Sequence, residues 1–323
     1  MKRLTLLTAR AALAAAAAFV LCVCEEAPTE PESRWEPPAY AGEWGSKGAG
    51  DGEFDWPTDV AAAPNGNVYV ADYLNERVQY FTASGSFLGK WLLKGTSDIE
   101  INYPRGVAVA ADGAVYVTDY VNDNIQRFTP SGSFVALWGG HGVGGGLFDG
   151  PMGVDVAADG SVYVADNRNN RVQRFTADGS VTGVWGTYGS GRGEFRGPYD
   201  VAVASDGNVY VTDHNNSRVQ YFIPAGAFLG AWGAYGTDDG EFNYATGVAA
   251  SSRGPLYVTD AGIVGKEGND RVQVFARSGG YLGRWGSHGS GERQFDIPNG
   301  VSVAGDGTVY VADSENNRIV YYR

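Results

Sequence analysis

Three histidines, two cysteines and a set of unevenly placed aspartates are the groups from which this 323-residue chain could build chemistry. Both cysteines, Cys22 and Cys24, fall within the first 24 residues. The body therefore has no disulfide, zinc knuckle or thiol nucleophile. His141 and His288 each follow a tryptophan by three residues, which puts them on outer loops. From there they cannot converge with His214 on one zinc at ~2.0–2.1 Å per ligand. Asp59 and Asp200 stand where four equivalent segments carry Gly, and Asp155 stands where others carry Ala or Ser. Carboxylates so placed are the chemistry of an oxygen-bound cation such as calcium, which takes roughly 6–8 oxygens. The other reading is that they are solvated or hydrogen-bonded. Gly-Lys-Ser/Thr phosphate loops and Gly-x-Ser-x-Gly elbows are absent.

A second group has the composition of a recognition surface. One column reads Thr58, Arg105, Met152, Tyr199, Thr246 and Asn299, and another reads Tyr73, Tyr120, Asn167, His214, Ala261 and Ser314. Each varies between flanks that repeat. Constant positions serve the shared fold, and variable ones are free to serve function or simply to drift. Mixed aromatic and polar side chains suit binding.

The elements that must position these groups are legible as repeats. Tyr-Val-(Ala/Thr)-Asp starts at Tyr69, Tyr116, Tyr163, Tyr210, Tyr257 and Tyr310, and a tryptophan ladder runs Trp44, Trp91, Trp138, Trp185, Trp232 and Trp285. Both ladders step by 47 residues four times and then by 53. The excess sits in an insert at about 261–269. Each repeat reads as four short strands, a to d, joined by Asp-Gly and Ser-Gly turns, because Gly accepts positive φ. In the third repeat they are expected over 152–158, 161–166, 171–176 and 180–186. Four-stranded antiparallel units at this period predict an all-β, six-bladed propeller. The last repeat stops after strand c, and Tyr40–Gly45 supplies its strand d from the other terminus. The columns then fall on one face, strand a lines a central channel, and Trp138 and Phe148 pack between blades.

Composition agrees. Gly is 48 of 323 residues and aromatics are 13%, too Gly-rich for helices and too apolar for disorder. A net charge of −13 without a basic stripe argues against a nucleic-acid partner. Lys2 and Arg3 precede an apolar run over 11–23, too short to span a bilayer and suited to a signal peptide. The expected organisation is a signal over 1–24, an acidic Pro/Glu-rich tether over 25–38 and the propeller over 39–323. The chain is then exported to a bacterial envelope, periplasm or cell surface.

Tyr-Val-(Ala/Thr)-Asp followed by Arg-(Val/Ile)-Gln-x-Phe, with Gly-x-Phe-x-x-Pro upstream, resembles the NHL repeat across 39–323. The departures are Asn124 for Arg and Ala245 for Pro. The resemblance implies a six-bladed propeller and no single activity, since relatives include RNA-binding proteins, kinase sensor domains and a peptide-amidating lyase. The lyase places zinc histidines in the channel-mouth column, and this chain has none there. Propeller lactonases place calcium in the channel, which keeps Asp59, Asp155 and Asp200 in view. The signal resembles that of a lipoprotein acylated at Cys24, with Val23 departing from the small residue usual there. The favoured expectation is a binding or sensing module that takes a protein, peptide or glycan through its channel-mouth face, with membrane contact through the lipid anchor only. On that reading it performs no chemistry and needs no cofactor. The alternative is a calcium-dependent hydrolase or lyase with its site in the channel.

Overall fold

The computed structural model describes residues 35–91, 100–262 and 268–323. The expected signal segment with Cys24, most of the expected tether and residues 263–267 of the insert lie outside the described residues.

Six four-stranded antiparallel sheets make the ring. Blade one runs Pro57–Ala62 (strand a), Val68–Asp72 (b), Arg77–Phe81 (c) and Phe87–Trp91 (d). The third blade's strands, Pro151–Val156, Val162–Asp166, Arg171–Phe175 and Val181–Trp185, fall within two residues of those expected. Strand b is buried on both faces because a neighbouring blade covers each side. Strand d alternates, with Leu88 and Lys90 turned outward. Trp138 of blade two leans on Phe175 of blade three at 6.2 Å between ring centres, with Phe148 beside them. Burial of one such aromatic contributes roughly 1.5–3 kcal/mol.

Closure follows the expected clasp. Tyr40–Trp44 pairs antiparallel with Arg318–Tyr322, and Ala39 and Arg323 exchange two backbone hydrogen bonds. Glu43 Oε2 accepts from Arg318 Nη1 at 2.8 Å. Trp44 then packs on Phe81 of blade one, and Gly85 turns beneath it at φ +89°. A Cβ at Gly85 would stand 2.5 Å from the indole, so the turn needs glycine on both counts.

The repeated Asp and Arg hold the loop that leads into strand a. Asp72 accepts from the Asp55 N–H at 2.8 Å and from Arg77 Nε at 2.6 Å. Arg77 gives three of its four remaining donors to the carbonyls of Ala49, Gly50 and Glu53. The same pin recurs at Arg171, Arg218, Arg271 and Arg318. In blade two Asn124 replaces Arg; Asp119 keeps the bonds from the Asn102 N–H and Asn122 Nδ2 that the other blades have at these places, and accepts one more from the Asn122 N–H.

Breaking a buried pair leaves the other charge uncompensated. Arg77→Ala is therefore expected to cost about 3–5 kcal/mol, against under about 1 kcal/mol for Asn124→Ala, whose Oδ1 is already without a partner. Urea unfolding of the two variants checks the contrast.

Candidate active site at the channel mouth

Each strand a enters the ring beside the axis, so its first residues meet around the channel. The channel encloses about 210 Å³ and is lined by valines and alanines with Asp59, Asp155, Asp200 and Ser302. Each aspartate bridges two blades. Asp59 accepts from its neighbour Val60 and from Val107 of the next blade, both at 2.8 Å. Asp200 does the same with Val201 and Val248, both at 2.8 Å. Asp155 takes Val156 at 2.8 Å and Val203 at 2.7 Å. A Cβ at Gly300 or Gly153 would run into the Asp59 or Asp200 carboxylate, which explains why glycine precedes aspartate around the ring.

Burial lifts all three carboxyls above the ordinary carboxylate range. For Asp59 the facing Asp200 charge adds to it. Asp155 is pushed up to about 6 by burial against its two N–H bonds. No cationic side chain pairs with them among the described residues.

Above the channel Arg105, Met152 and Tyr199 form a floor over Asp59 and Asp200. On that floor lies a bowl of about 580 Å³ lined by Trp56, Tyr73, Leu74, Arg105, Tyr199, His214, Tyr244 and Ile297, among others. Residue types expected at the mouth therefore divide. Arg105, Met152, Tyr199, Thr246, Asn299, Tyr73 and His214 do line the bowl. Thr58, Thr246 and Asn299 are each only 3% exposed, so they are not an open rim. Thr58 Oγ1 donates to Pro104 O and Thr246 Oγ1 to Pro298 O, across blades. Asn167 donates to Pro198 O, and Tyr120 stands outside the bowl between Arg105 and Arg168.

The sequence reading missed Trp56, Tyr244 and Ile297. They occupy the position before the Pro or its Ala245 replacement, a column that reads Trp56, Tyr103, Gly150, Gly197, Tyr244 and Ile297. Trp56, Tyr103 and Ile297 hold φ of +60°, +57° and +55°, a region that bulky and β-branched residues avoid. Glycine at the same place in blades three and four was the signal available. Strain of this kind gathers at functional sites.

His214 is the most constrained bowl residue. Its ring stacks between Tyr199 at 5.0 Å and Tyr244 at 4.7 Å. Nδ1 lies 3.2 Å from Ala245 O. A carbonyl only accepts, so Nδ1 carries the proton and Nε2 keeps its lone pair. Burial pushes the imidazole down to about 4, against the pull of that hydrogen bond. The ring is neutral at pH 7, and Nε2 has no hydrogen-bond partner among the described residues.

The candidate cation ligands lie elsewhere than expected. Among the described residues, the three potential ligands that come within 4.8 Å of one another are Asp123, His141 and Asp149. The channel carboxylates are not gathered that closely, because each is tied to its own blade and the next. They do not fit a single calcium ion as direct ligands. The Asp–His–Asp group lies outside the channel lining, where strand a of blade three begins. His141 Nδ1 is 3.0 Å from Asp123 Oδ2, and Asp149 also meets Arg168 at 3.3 Å. A related arrangement, His288 with Asp270 at 3.0 Å and Asp296 at 3.9 Å, stands three blades away.

The ring and its strand order define a six-bladed β-propeller with a bowl at one mouth of its channel. The model of the NHL repeat matches residues 54–81, 102–128, 148–175, 195–222 and 295–322. This is an NHL-repeat propeller. Blade five is not among the matched segments, in keeping with Ala245 and the insert, yet it has the same four strands. No curated protein matches the chain.

Solved structures share the ring. A streptogramin B lyase is 12% identical with a TM-score of 0.58, over 87% of this chain and 96% of that one. A catalytically inactive histidine variant of virginiamycin B lyase from Staphylococcus aureus, with quinupristin, is 15% identical with a TM-score of 0.57, over 83% and 84%. A gluconolactonase from Xanthomonas campestris is 15% identical with a TM-score of 0.62, over 88% and 97%. At these identities the likeness establishes the fold. Together with the Asp–His–Asp group it corrects the expectation of a binding module without chemistry: this ring is one on which lyases and a lactonase are built.

The raised Asp155 sets a pH window. Its folded value of about 6 exceeds the ordinary 3.8, so the folded state holds the proton more tightly. The resulting stability is full below about pH 4 and is lost as pH rises toward 6. Melting temperature measured between pH 4 and 7 is expected to fall less steeply in Asp155→Asn than in the parent chain.

Proposed function

We propose that this chain is a lyase or hydrolase whose reaction takes place in the bowl above the channel, with His214 moving the proton. The observation that carries this reading is the state of His214. Its tautomer is fixed by Ala245 O, its neutral form is held by burial, and its bare Nε2 belongs to a bowl that also contains Arg105 and the Tyr199 hydroxyl. Perturbed titratable groups converging in a cleft are the mark of acid–base chemistry.

The geometry supports a division of labour. Nε2 accepts a proton, from a carbon next to a leaving group in a lyase or from the attacking water in a hydrolase. The imidazolium so formed lies between two tyrosine faces, which stabilise a cation. Arg105 stabilises negative charge that develops on the substrate. Tyr199 donates its hydroxyl proton to Asn299 Oδ1 at 2.8 Å, which fixes the ring against His214. Asn299 is held in turn by Ser314 Oγ at 2.8 Å.

A divalent cation belongs to this reading at Asp123, His141 and Asp149. Two carboxylates and an imidazole suit zinc or manganese better than calcium, which prefers oxygen alone. Bound there, it would add positive charge on the bowl side of the ring, and no step above runs through it.

Gluconolactone and quinupristin, the compounds associated with the similar structures, are the first probes. Turnover of a lactone or of a streptogramin-type substrate is expected, with kcat reduced at least about 100-fold in His214→Phe and little change in melting temperature. Undiminished turnover in that variant, or none across a panel of lactones and streptogramins with added zinc, manganese or calcium, overturns the proposal.

We further propose that the chain is exported and acylated at Cys24. The basic Lys2-Arg3 start, the apolar run over 11–23 and the acidic tract that follows support this. A clickable palmitate analogue fed to cells making the full chain is expected to label it, and Cys24→Ser to abolish the label. An unlabelled parent chain would refute acylation.

A further inference from the structure

Arg105 is the one charged side chain among the described residues lining the bowl, and it is unusually placed. The five pin arginines each meet an aspartate. Arg127, Arg168, Arg174, Arg277 and Arg284 on the surface do so too. Arg105 has no ion pair and no hydrogen bond among the described residues, and its Nε is buried without a partner. What holds it is aromatic. Its guanidinium carbon lies 4.0 Å from the centre of the Tyr73 ring and 5.2 Å from that of Tyr120. Stacking fixes the plane of the guanidinium but satisfies none of its five N–H donors, which point in the plane.

A half-buried guanidinium without acceptors costs free energy unless something supplies them. Asp59 and Asp200 lie near, in the small space beneath the floor. Their oxygens, however, are committed to the backbone of the next blade. The other bowl walls, Trp56, Leu74, Tyr244 and Ile297, are apolar or aromatic.

We propose that the bowl takes a ligand bearing an oxyanion on an apolar or aromatic body, with the oxyanion on Arg105 and the body against Trp56, Tyr73 and Tyr244. This rests on the reading of the bowl as the reaction site and names the substrate class for it. The fork of guanidinium donors matches a carboxylate or phosphate with two parallel bonds. An anion bound there also favours a proton on the neighbouring His214. The preference runs against the chain's own net charge of −13, so it is a local property of the bowl.

Equilibrium binding tests this without turnover. Phenylacetate and phenyl phosphate, with phenylacetamide as the neutral counterpart, are titrated into the protein and followed by calorimetry and melting temperature. At least one anion is expected to bind tenfold or more tightly than the amide, and the tighter anion identifies the oxyanion. Arg105→Gln is expected to erase the difference, and Arg105→Lys to keep part of it. Circular dichroism melting establishes that both variants fold, and the lysine variant carries the test if the glutamine variant does not. Equal binding of amide and anions, or an anion preference that survives Arg105→Gln, overturns the proposal. Anion binding by a protein that turns over none of its probes would leave this inference standing and remove the catalytic reading. Turnover that is indifferent to Arg105→Gln would remove this inference and the part given to Arg105 in the reaction, and leave the part given to His214.

Discussion

The inner strand of each blade has an edge with no strand beside it, and the rest of the molecule answers to that fact. Six such edges face the channel. Their N–H groups need acceptors, and no neighbouring strand supplies them. Asp59, Asp155 and Asp200 meet part of this need by reaching from one blade to the backbone of the next. Ser302 does the same for Ala62 N at 3.0 Å. The aspartates are thus staples between blades first. Their raised affinity for protons follows from where the staple has to be: enclosed, with no cationic side chain paired to it among the described residues.

That arrangement also shapes the site above. A channel lined by carboxylates would be a poor place for an anion, and Arg105, Met152 and Tyr199 separate it from the bowl. The bowl itself is asymmetric. Blades one, five and six present Trp56, Tyr244 and Ile297, two of them at strained backbone positions, while blades three and four present Gly150 and Gly197 at the same place. The ring supplies six equivalent stations, and the chain fills them unequally. His214 holds a neutral imidazole because its burial between Tyr199 and Tyr244 takes it out of water.

The pins explain why such variety is tolerated. Each Asp–Arg pair grips the loop before strand a through backbone carbonyls, so the loop's own side chains are left free. Blade two dispenses with the arginine and blade five with the proline, and both still close. Stability in a ring of this kind is distributed over similar interfaces, and one weaker station does not open it.

Periodicity alone settled the number of blades, the four strands in each and the clasp of Tyr40–Trp44, because a blade's core is local and repeats with the sequence. Asp59, Asp155 and Asp200 stood out as breaks in a column, and Arg105, Tyr199 and His214 as its variable members. What the sequence could not decide was which of those members face solvent and which are consumed between blades. Thr58 and Asn167 look as free as Arg105 in their columns, yet their short polar groups reach a neighbouring blade, and Asn299 is held by Ser314 of its own blade and by Tyr199; a guanidinium stacked on Tyr73 makes no such bond among the described residues. The tautomer of His214, the strain at Trp56 and the meeting of Asp123, His141 and Asp149 depend likewise on distances between residues from different repeats or distant loops. Only closing the ring brings them together.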